Sequence, residues 1–467
     1  MSLKNHRSLP LDFFLILLST NLITFAYIRN EYAWADDYSF LGSYIGFSPS
    51  LSTEHYTGYR PLLQIIFDLV FTNIQAIEDL RFLRYVALIG TSLLSIAIFR
   101  ILVLSGWGKW SSIFLACTVQ FLPTFQIYQW WATAFIYSWV AVASLISFSL
   151  QQKGYWVRSS TILIICFLIY QPAATFGMIG LLVDFLNQRR LRRRHIEYML
   201  SLTITFVLAT VLSRFTLYLL QIVPKERAGV ISSPDDLAAK IIWLLTRPTI
   251  LSFRPYFWNS PNLTEIICAL ILFAVFIFFI FKKMLALRNS VVFFLSLACI
   301  FLMMLLPLLP IRENQVEFRV LPSTSVLGLI LLVYIVKAYL EKYSNLMRLS
   351  PIFASVMISL VALSASNSSE KIFIKPYKSI KTFVFEKTYG DNSEVLYYKI
   401  DYSDWPMRNY IGAPSAIYDL QMPWVVEPLL KFMLSDKYSA ILPLGDRPRS
   451  SNIILNLNEL KSLPIEK

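Results

Sequence analysis

The sequence predicts an all-α polytopic membrane protein of about eleven transmembrane helices, with a small extracytoplasmic α/β cap at its C-terminal end. Of its 467 residues, 56% are hydrophobic and only 15% are charged. The apolar residues form repeated blocks of roughly 18 to 25, the length that crosses about 30 Å of hydrocarbon as a helix. Lysine and arginine, which give a formal net charge of +13, cluster between these blocks. That placement orients membrane spans, so we predict no nucleic-acid partner.

The N-terminal segment is predicted to be an uncleaved first span. Lys4, His6 and Arg7 precede an apolar run over residues 11–28, and Ala33-Trp34-Ala35 follows it. The latter resembles a signal-peptidase site, and a cleaved signal peptide is the alternative interpretation. The apolar run is longer than the usual secretory core of about 7 to 15 residues, which favours the span. The N-terminus is then cytoplasmic and Asp36 faces outside.

Basic loops are used to count the remaining spans. They occur at Arg100 with Lys109, at Lys153 with Arg158, across 189–194, across 282–288 and across 337–348. Because lysine and arginine favour the cytoplasmic side, each neighbouring pair of loops should enclose an even number of crossings. The predicted outer breaks between them are residues 126–131, 224–262 and 309–323.

The stretch from Arg158 to Arg189 has the length of one crossing, yet both of its ends carry cytoplasmic signals. We therefore predict a short helical hairpin broken at Tyr170-Gln171-Pro172, since proline disfavours helical backbone at the residue before it. A single proline-kinked helix is the alternative.

The C-terminal segment changes character from about Ser364 onward. It is polar, with short alternating runs at 382–385 and 395–400 and turn signals such as Gly390-Asp391-Asn392. We therefore divide the chain into a transmembrane domain, residues 1–365, and an extracytoplasmic domain, residues 366–467.

Two adjacent carboxylates, Asp36 and Asp37, follow the first apolar block closely. Such a pair repels itself and is poorly tolerated in hydrocarbon, so its position just outside a span suggests use at the membrane surface. The first outer loop, residues 29–61, contains this pair. Ionisable and aromatic candidates lie in this loop, in later outer loops and at the hairpin break: Glu54, His55, Tyr59, Arg60, Tyr170, Gln171, Arg254, Arg312 and Arg319.

These motifs resemble the GT-C superfamily of polyprenyl-phosphate-sugar transferases. The resemblance is carried by Asp36-Asp37 after an uncleaved span, by Gly58-Tyr59-Arg60-Pro61-Leu62, by the Tyr170-Gln171 break and by Phe318-Arg319-Val320-Leu321. Within the superfamily, the pattern is most similar to the bacterial Gtr type II glucosyltransferases that decorate O-antigen. It covers residues 11–340, and the proline at position 172 departs from the expected pattern.

The resemblance implies transfer of a hexose, glucose in the Gtr family, from a polyprenyl phosphate to a glycan outside a bacterial inner membrane, with inversion and without a nucleotide. Asp36 or Asp37 would be the general base. Its neighbour would hold sugar hydroxyls, steady a developing cation or bind a divalent metal such as Mg²⁺ or Mn²⁺. Arg60 and Arg319, then Arg254 and Arg312, would stabilise the leaving phosphate. Glu54, His55, Tyr59, Tyr170 and Gln171 are candidates for lining the substrate.

Each assignment has a structural alternative. The acidic pair could cap a helix, and Asp235-Asp236 after Pro234 is predicted to start another one. His55 could be a packing residue, while Arg60 and Arg319 could anchor helices to lipid head groups. Tyr170 and Gln171 could satisfy backbone groups that the proline frees.

Three other functions compete with glycosyl transfer. A flippase or transporter of lipid-linked glycans would place ionisable residues near the bilayer midplane and show repeated interrupted helices, and no repeat is evident. A polysaccharide polymerase or ligase would share the outer arginines without needing the acidic pair. A scaffold has little reason to gather so many charges on one face. The predicted partners are therefore the polyprenyl-phosphate-sugar donor, a glycan acceptor and membrane lipids.

Overall fold

The computed structural model describes residues 9–30, 32–33, 36–44, 53–224, 231–253, 287–311, 318–340, 350–369, 397–401 and 452–456. This part of the chain is mostly helical. The side chain of Asp36, the whole of Arg254 and Arg312, and the predicted strand at 382–385 lie outside the described residues.

Sixteen helices are described along the chain. Their bounds are α1 Leu11–Ile28, α2 Asp36–Tyr44, α3 Glu54–Thr57, α4 Pro61–Phe71, α5 Leu80–Leu104, α6 Lys109–Val119, α7 Pro123–Trp130, α8 Tyr137–Gln152, α9 Trp156–Ile169, α10 Gln171–Ala174, α11 Gly177–Gln188, α12 Arg193–Leu219, α13 Pro234–Phe253, α14 Leu287–Met304, α15 Pro322–Leu340 and α16 Ser350–Ser369. Short 3-10 turns occur at Ile77–Asp79, Ala132–Ala134, Leu306–Leu308 and Phe318–Val320.

Two short strands are described in the C-terminal segment, β1 Tyr397–Asp401 and β2 Asn452–Asn456. They pair in parallel, with Lys399 opposite Ile454. The first overlaps the alternating run predicted at 395–400. The α/β cap itself stays a prediction, because these strands are all that the structure describes beyond Ser369.

Five helical segments in the described part are long and apolar enough to cross a membrane: Leu11–Ile28, Ile77–Leu104, Ala132–Gln152, Arg193–Leu219 and Ser350–Asn367. Four shorter apolar helices accompany them, at Pro61–Phe71, Trp156–Ile169, Val291–Met304 and Pro322–Tyr334. Many large apolar side chains on α1, α12 and α16 are exposed, among them Leu11, Leu212 and Phe353. Apolar side chains facing outward are expected where lipid is the solvent. These features support the predicted multi-pass membrane protein, and the total of about eleven spans stays a prediction.

Side-chain contacts of the described residues place basic residues from four of the five predicted basic loops at one end of the helices, while the loop at 282–288 lies almost wholly outside the described residues. Lys337 lies over the Trp107 ring at 5.2 Å from the centroid, and Lys109 pairs with Asp12 at the start of α1. Arg194 Nη1 donates to the Gln152 carbonyl at 2.6 Å. This basic end is the one predicted to be cytoplasmic.

The stretch between Arg158 and Arg189 is a hairpin in the structure. Helix α9 runs antiparallel to α8, because Ser159 Oγ lies 2.8 Å from Ser147 Oγ and Cys166 Sγ contacts the Val140 carbonyl at 3.7 Å. Helix α11 runs parallel to α8, because the Gly177 N–H donates to Ser144 Oγ at 2.7 Å and Gly180 packs on Phe148. Helices α9 and α11 therefore have opposite directions.

The hairpin turns where the sequence predicted. Helix α9 ends at Ile169, Tyr170 is extended, and α10 begins at Gln171 with proline in its first turn. Helices α9 and α11 have 14 and 12 residues, so they rise only roughly 21 and 18 Å. Because both halves are short, the turn lies among the other helices and contributes to the candidate site.

Three predicted boundaries need correction. Residues 126–131 are not an outer loop: Pro123–Trp130 form a buried helix, and the chain breaks before it and at Trp131. Residues 224–262 are not one continuous loop, because they include the helix Pro234–Phe253. The predicted helix start at Pro234 is confirmed, and there the Ser233 hydroxyl accepts the Asp236 N–H at 3.1 Å. The final apolar helix continues past residue 365 to Ser369.

The first outer segment also continues beyond its predicted limit at Pro61. Helix α4 has only 11 residues and rises about 16 Å, too little for a span. The next crossing begins near Ile77. Asp68, which lies on α4, accepts hydrogen bonds from Tyr44 and from Gln64 Nε2, the latter at 2.9 Å. This network joins α4 to α2.

Single-cysteine labelling tests the hairpin. In a background with the native cysteines replaced by alanine, Lys153→Cys and Arg190→Cys should react with an impermeant maleimide from the same membrane face, and Glu78→Cys from the opposite face. A single kinked helix would instead make Arg190→Cys react together with Glu78→Cys. Right-side-out and inverted vesicles supply the two faces.

Gly177→Ala should lower the free energy of unfolding by about 1–3 kcal/mol, because a Cβ there would lie 1.9 Å from Tyr198 Oη and 2.7 Å from the Ser144 carbonyl. Gly108→Ala is the control, since a Cβ at Gly108 has no heavy atom within 4 Å. Thermal unfolding in detergent compares the two. Equal midpoints would contradict the close packing of α11 on α8 and α12.

Candidate functional site

The candidate site lies at the end of the helices opposite the basic end. The direction of helix α12 identifies this end. Helix α12 runs parallel to α9, which begins at the basic end, because Ser160 contacts Ser201 and Phe167 packs near Phe206. It therefore leads away from Arg194, and near its far end Ser213 Oγ donates to the Tyr59 carbonyl at 3.3 Å. Tyr59 precedes the candidate Arg60.

Asp37 is fully buried and bound by the backbone of a distant segment. Its carboxylate accepts the Thr133 N–H at 2.8 Å and the Ala132 N–H at 3.4 Å. Both donors belong to the 3-10 turn after Trp131, where backbone N–H groups have no helical partner. Asp36 is the first residue of α2, and the contacts described for Asp37 go to another segment and not to the N–H groups of its own helix. Asp37 uses its side chain to join α2 to the start of the α8 region.

The segment before the acidic pair is held by Arg84, a residue that the sequence analysis did not select. Its guanidinium is fully buried and donates to three carbonyls, those of Ile28, Asn30 and Tyr32, at 3.1, 2.9 and 2.9 Å. It also stacks over the Tyr32 ring at 3.9 Å. In the sequence, Arg84 lies just inside an apolar block, one turn from Arg81. Arginines at such positions usually orient membrane spans, so the sequence gives no signal for this buried role.

Tyr32 connects this arginine to the segment that binds Asp37. Its hydroxyl donates to the Trp130 carbonyl at 3.0 Å. Burial raises the pKa of Tyr32 above its usual range, the Arg84 charge opposes the increase, and the Asp37 charge adds to it. The hydroxyl therefore stays protonated and serves as a donor at physiological pH. Both Arg84 and Asp37 act electrostatically on this one side chain.

Arg319 is fixed through its backbone by two tyrosines. Tyr128 and Tyr170 donate their hydroxyls to the Arg319 carbonyl at 2.8 and 2.9 Å. The guanidinium lies over the Trp131 ring, 4.6 Å from its centroid. Trp131 is adjacent to the two residues whose N–H groups bind Asp37. Arg319 and Asp37 therefore contact neighbouring parts of the same short segment.

Arg60 lies on the same aromatic cluster. Its guanidinium is 5.1 Å from the centroid of the Tyr170 ring, and that ring stacks on Tyr137 at 3.6 Å with an interplanar angle of 4°. The buried Nε–H of Arg60 donates to no atom among the described residues. Arg60 and Arg319, from loops far apart in sequence, thus both contact Tyr170, Arg60 through its guanidinium and Arg319 through its backbone carbonyl.

Tyr59 has a strained backbone that sets the position of Arg60. Its φ of +59° is left-handed, a conformation that usually favours glycine. Tyr59 N–H bonds to the Tyr56 carbonyl and Arg60 N–H to that of His55, a Schellman ending for α3. The Tyr59 carbonyl is then held by Gln171 Nε2 at 2.9 Å. Gln171 therefore satisfies a backbone carbonyl of the distant α3–α4 connection, whereas its structural alternative concerned groups that Pro172 frees.

Glu54 and His55 are separated from this cluster by their packing. The His55 ring is 7% exposed, stacks on Phe40 at 4.9 Å and meets Phe67 edge-on at 4.3 Å. Its backbone N–H bonds to Gln64 Oε1 at 3.0 Å. This environment favours a packing role for His55. Glu54 begins α3, and its carbonyl accepts the Thr57 hydroxyl.

A metal was predicted only through the acidic pair. The described residues contain no group of three or more His, Cys, Asp or Glu side chains arranged to hold an ion. Asp37 directs its oxygens at backbone N–H donors. The metal therefore stays a prediction that concerns Asp36.

Arg214 is a second residue that the sequence analysis missed. It is an exposed arginine in the outer part of α12, and its guanidinium lies 5.9 Å from the centroid of the Tyr59 ring. It adds a third cation at this end of the helices. An arginine five residues before the end of a long apolar helix usually extends toward the head groups, which is why its sequence position alone carried no signal.

Comparison with known proteins adds no relative. No family model matches the chain, and no curated protein matches it.

Replacing both Tyr128 and Tyr170 with phenylalanine should cost about 1–3 kcal/mol of stability, since the buried Arg319 carbonyl would lose both donors. Each single variant keeps one donor to the Arg319 carbonyl. Its loss of stability should therefore be clearly less than half of the loss in the double variant, which means that the two effects are coupled. Tyr218→Phe, at a residue 79% exposed, is the control. Thermal unfolding of the four variants measures the coupling, and simple additivity would contradict a shared acceptor.

Proposed function

We propose that this protein is an integral-membrane glycosyltransferase that moves a hexose, glucose in the first instance, from a polyprenyl phosphate to a cell-surface glycan such as O-antigen. The site is the cluster of Asp36, Asp37, Arg60 and Arg319. On this proposal the basic end is cytoplasmic in a bacterial inner membrane, the site and residues 366–467 are extracytoplasmic, and about eleven helices cross the bilayer.

The observation that carries the proposal is the guanidinium of Arg60. It lies on the Tyr170 ring with a buried Nε–H that no described residue accepts. A buried donor without an acceptor is costly, and a phosphate oxygen supplies the charge-assisted bond that would relieve it. The Arg319 guanidinium lies on Trp131 while its carbonyl accepts the Tyr170 hydroxyl, and on this proposal it is the second cation for the same anion.

The chemistry needs one base and a stabilised leaving group. An acceptor oxygen bonds to sugar C1 as the bond between C1 and the phosphate oxygen breaks, with inversion at C1. The hydroxyl proton passes to a carboxylate, and the polyprenyl phosphate leaves as an anion that needs no protonation. Arg60 and Arg319 would stabilise the charge that develops on that anion.

The contacts favour Asp36 as the base and Asp37 as its support. A buried carboxylate whose oxygens already accept backbone N–H bonds cannot take a hydroxyl proton without giving up one of those bonds. Asp37 accepts two such bonds and is fully buried. Asp36, the first residue of α2, is placed by its neighbour and has the catalytic role that the sequence left open between the two.

The location of the charges favours a transferase over a transporter. Asp37, Arg60 and Arg319 lie where helices begin or break at one end, whereas a flippase would be expected to hold its charges near the bilayer midplane. A polymerase or ligase would use the arginines but would not require Asp36.

The first test is transfer of radiolabelled hexose from undecaprenyl-phosphate-hexose to envelope glycans by membranes containing the protein. Asp36→Asn should abolish detectable transfer and leave the unfolding temperature unchanged. Asp37→Asn should lower both the transfer rate and the unfolding temperature. In that variant one backbone N–H would face an amide N–H and not a carboxylate oxygen. Full transfer by Asp36→Asn would remove the base assignment, and absence of transfer by folded wild type would bring the transporter hypothesis forward.

Arg60→Met should lower kcat/KM for the donor by about 100- to 1000-fold, the size of effect seen when a preorganised donor to a developing anion is lost. Arg60→Lys should recover only part of the loss, since an ammonium cannot offer the planar fork. Arg29→Met, at an exposed arginine near the end of α1, is the matched control and should behave as wild type. Initial rates at varied donor concentration give kcat/KM for each variant. If Arg60→Met had the same kcat/KM as Arg29→Met, that result would contradict phosphate binding by Arg60.

A further inference from the structure

Arg84 is a buried charge that the proposed reaction does not use. It lies in the second turn of α5 with none of its surface exposed. Removing a guanidinium from water costs several kcal/mol even after relaxation, so the surrounding protein must stabilise it specifically. Arg81, one turn earlier on the same helix, is exposed.

The partners of Arg84 are backbone groups and not a carboxylate. All three nitrogens of its fork donate to carbonyls, at Ile28, Asn30 and Tyr32. The first of these is the last residue of α1, where carbonyls lack helical partners and the helix dipole is negative. A planar fork can bind three carbonyls of one short segment at once, which fixes the path of that segment.

The fixed segment leads directly to the acidic pair. From Tyr32 the chain reaches Asp36 within four residues, and the Tyr32 ring carries the guanidinium on its face. The Tyr32 hydroxyl holds the Trp130 carbonyl, while Asp37 accepts the N–H groups of Ala132 and Thr133. The segment 32–37 is therefore joined to the segment 130–133 by two links, one through Tyr32 and one through Asp37. Arg84 stabilises the link through Tyr32.

We propose that Arg84 is a positioning residue for the acidic pair: its buried guanidinium, through Tyr32, fixes the start of α2 against the turn at Ala132–Thr133. Its positive charge also lies close enough to this region to act on Tyr32 together with Asp37. The inference rests on the proposed function, since it assigns to Arg84 the placement of the base that the transferase reaction needs.

Two measurements on the full-length protein in detergent micelles test the role. Hydrogen exchange of the 36–44 segment reports position, and donor kinetics report the reaction. In Arg84→Met we expect exchange at 36–44 to rise about tenfold and kcat to fall about 100-fold, the loss that a displacement of about 1 Å produces. KM for the donor should stay within about twofold, because Arg60 and Arg319 still bind the phosphate.

Arg84→Lys and Arg81→Met complete the set. The lysine keeps the charge and reaches some of the carbonyls, so we expect it to recover part of kcat. Arg81→Met removes a charge from the same helix and should match wild type in both measurements. A merely structural arginine would lower the unfolding temperature and leave kcat of the folded fraction unchanged, and that result would overturn the proposal.

The outcomes for Arg84 and for the proposed function are separable. If folded wild type transfers no hexose, the transferase proposal fails, while the exchange measurement still decides whether Arg84 positions the segment. If exchange in Arg84→Met equals that in wild type, the inference fails even when transfer is active.

A milder variant covers the case in which Arg84→Met does not fold. Tyr32→Phe keeps the guanidinium, its three carbonyls and the ring contact, and removes only the hydroxyl bond to Trp130. We expect kcat to fall about tenfold with KM unchanged, since one of the two links is lost. Wild-type kcat and exchange in a folded Tyr32→Phe protein would overturn the proposal.

Discussion

The three carbonyl contacts of Arg84 illustrate the constraint on which the rest of this structure depends. Wherever a helix ends among other helices, away from water, its freed backbone groups must find partners within the protein. Arg84 serves the end of α1, Asp37 the turn after Trp131, Tyr128 and Tyr170 the carbonyl of Arg319, and Gln171 that of Tyr59. Of the candidate site residues, Asp37 is one of these partners, while Tyr59 and Arg319 supply carbonyls that are satisfied in this way.

The same constraint explains why two arginines lie on aromatic rings. Arg60 directly precedes α4, and Arg319 lies in the 3-10 turn before α15. The Arg60 side chain lies over the Tyr170 ring and the Arg319 side chain over the Trp131 ring. A ring face attracts a guanidinium without occupying its N–H donors. The rings therefore hold both cations in place, and the buried Nε–H of Arg60 donates to no atom among the described residues, which is the property that the proposed phosphate site requires.

Much of the architecture was predictable from pattern. The first apolar run coincides with α1, the break at Tyr170-Gln171 was found as predicted, and the basic loops gather at one end. Other elements were missed for physical reasons. Residues 126–131 are rich in glutamine and aromatics, which predicts an outer break, but most of them lie in a helix because buried partners satisfy their polar groups, as Thr91 does for Gln129. Helix α4 lies beyond the predicted limit of the first outer loop, and only the structure shows that Asp68 on this helix bonds to α2.

By itself the sequence determined the class of protein, the position of the described basic loops at one end of the helices, and several of the residues that the candidate site contains. These follow from local quantities: the length of apolar runs, the placement of lysine and arginine, and the effect of proline on the preceding residue. Only the tertiary structure decided that Asp37 binds a backbone segment, that His55 packs between rings, and that Arg84 and Arg214 belong beside the candidates. Hydrogen-bond partners and ring contacts depend on which breaks meet in space, and residues 32, 84 and 130 come together only after the helices have packed.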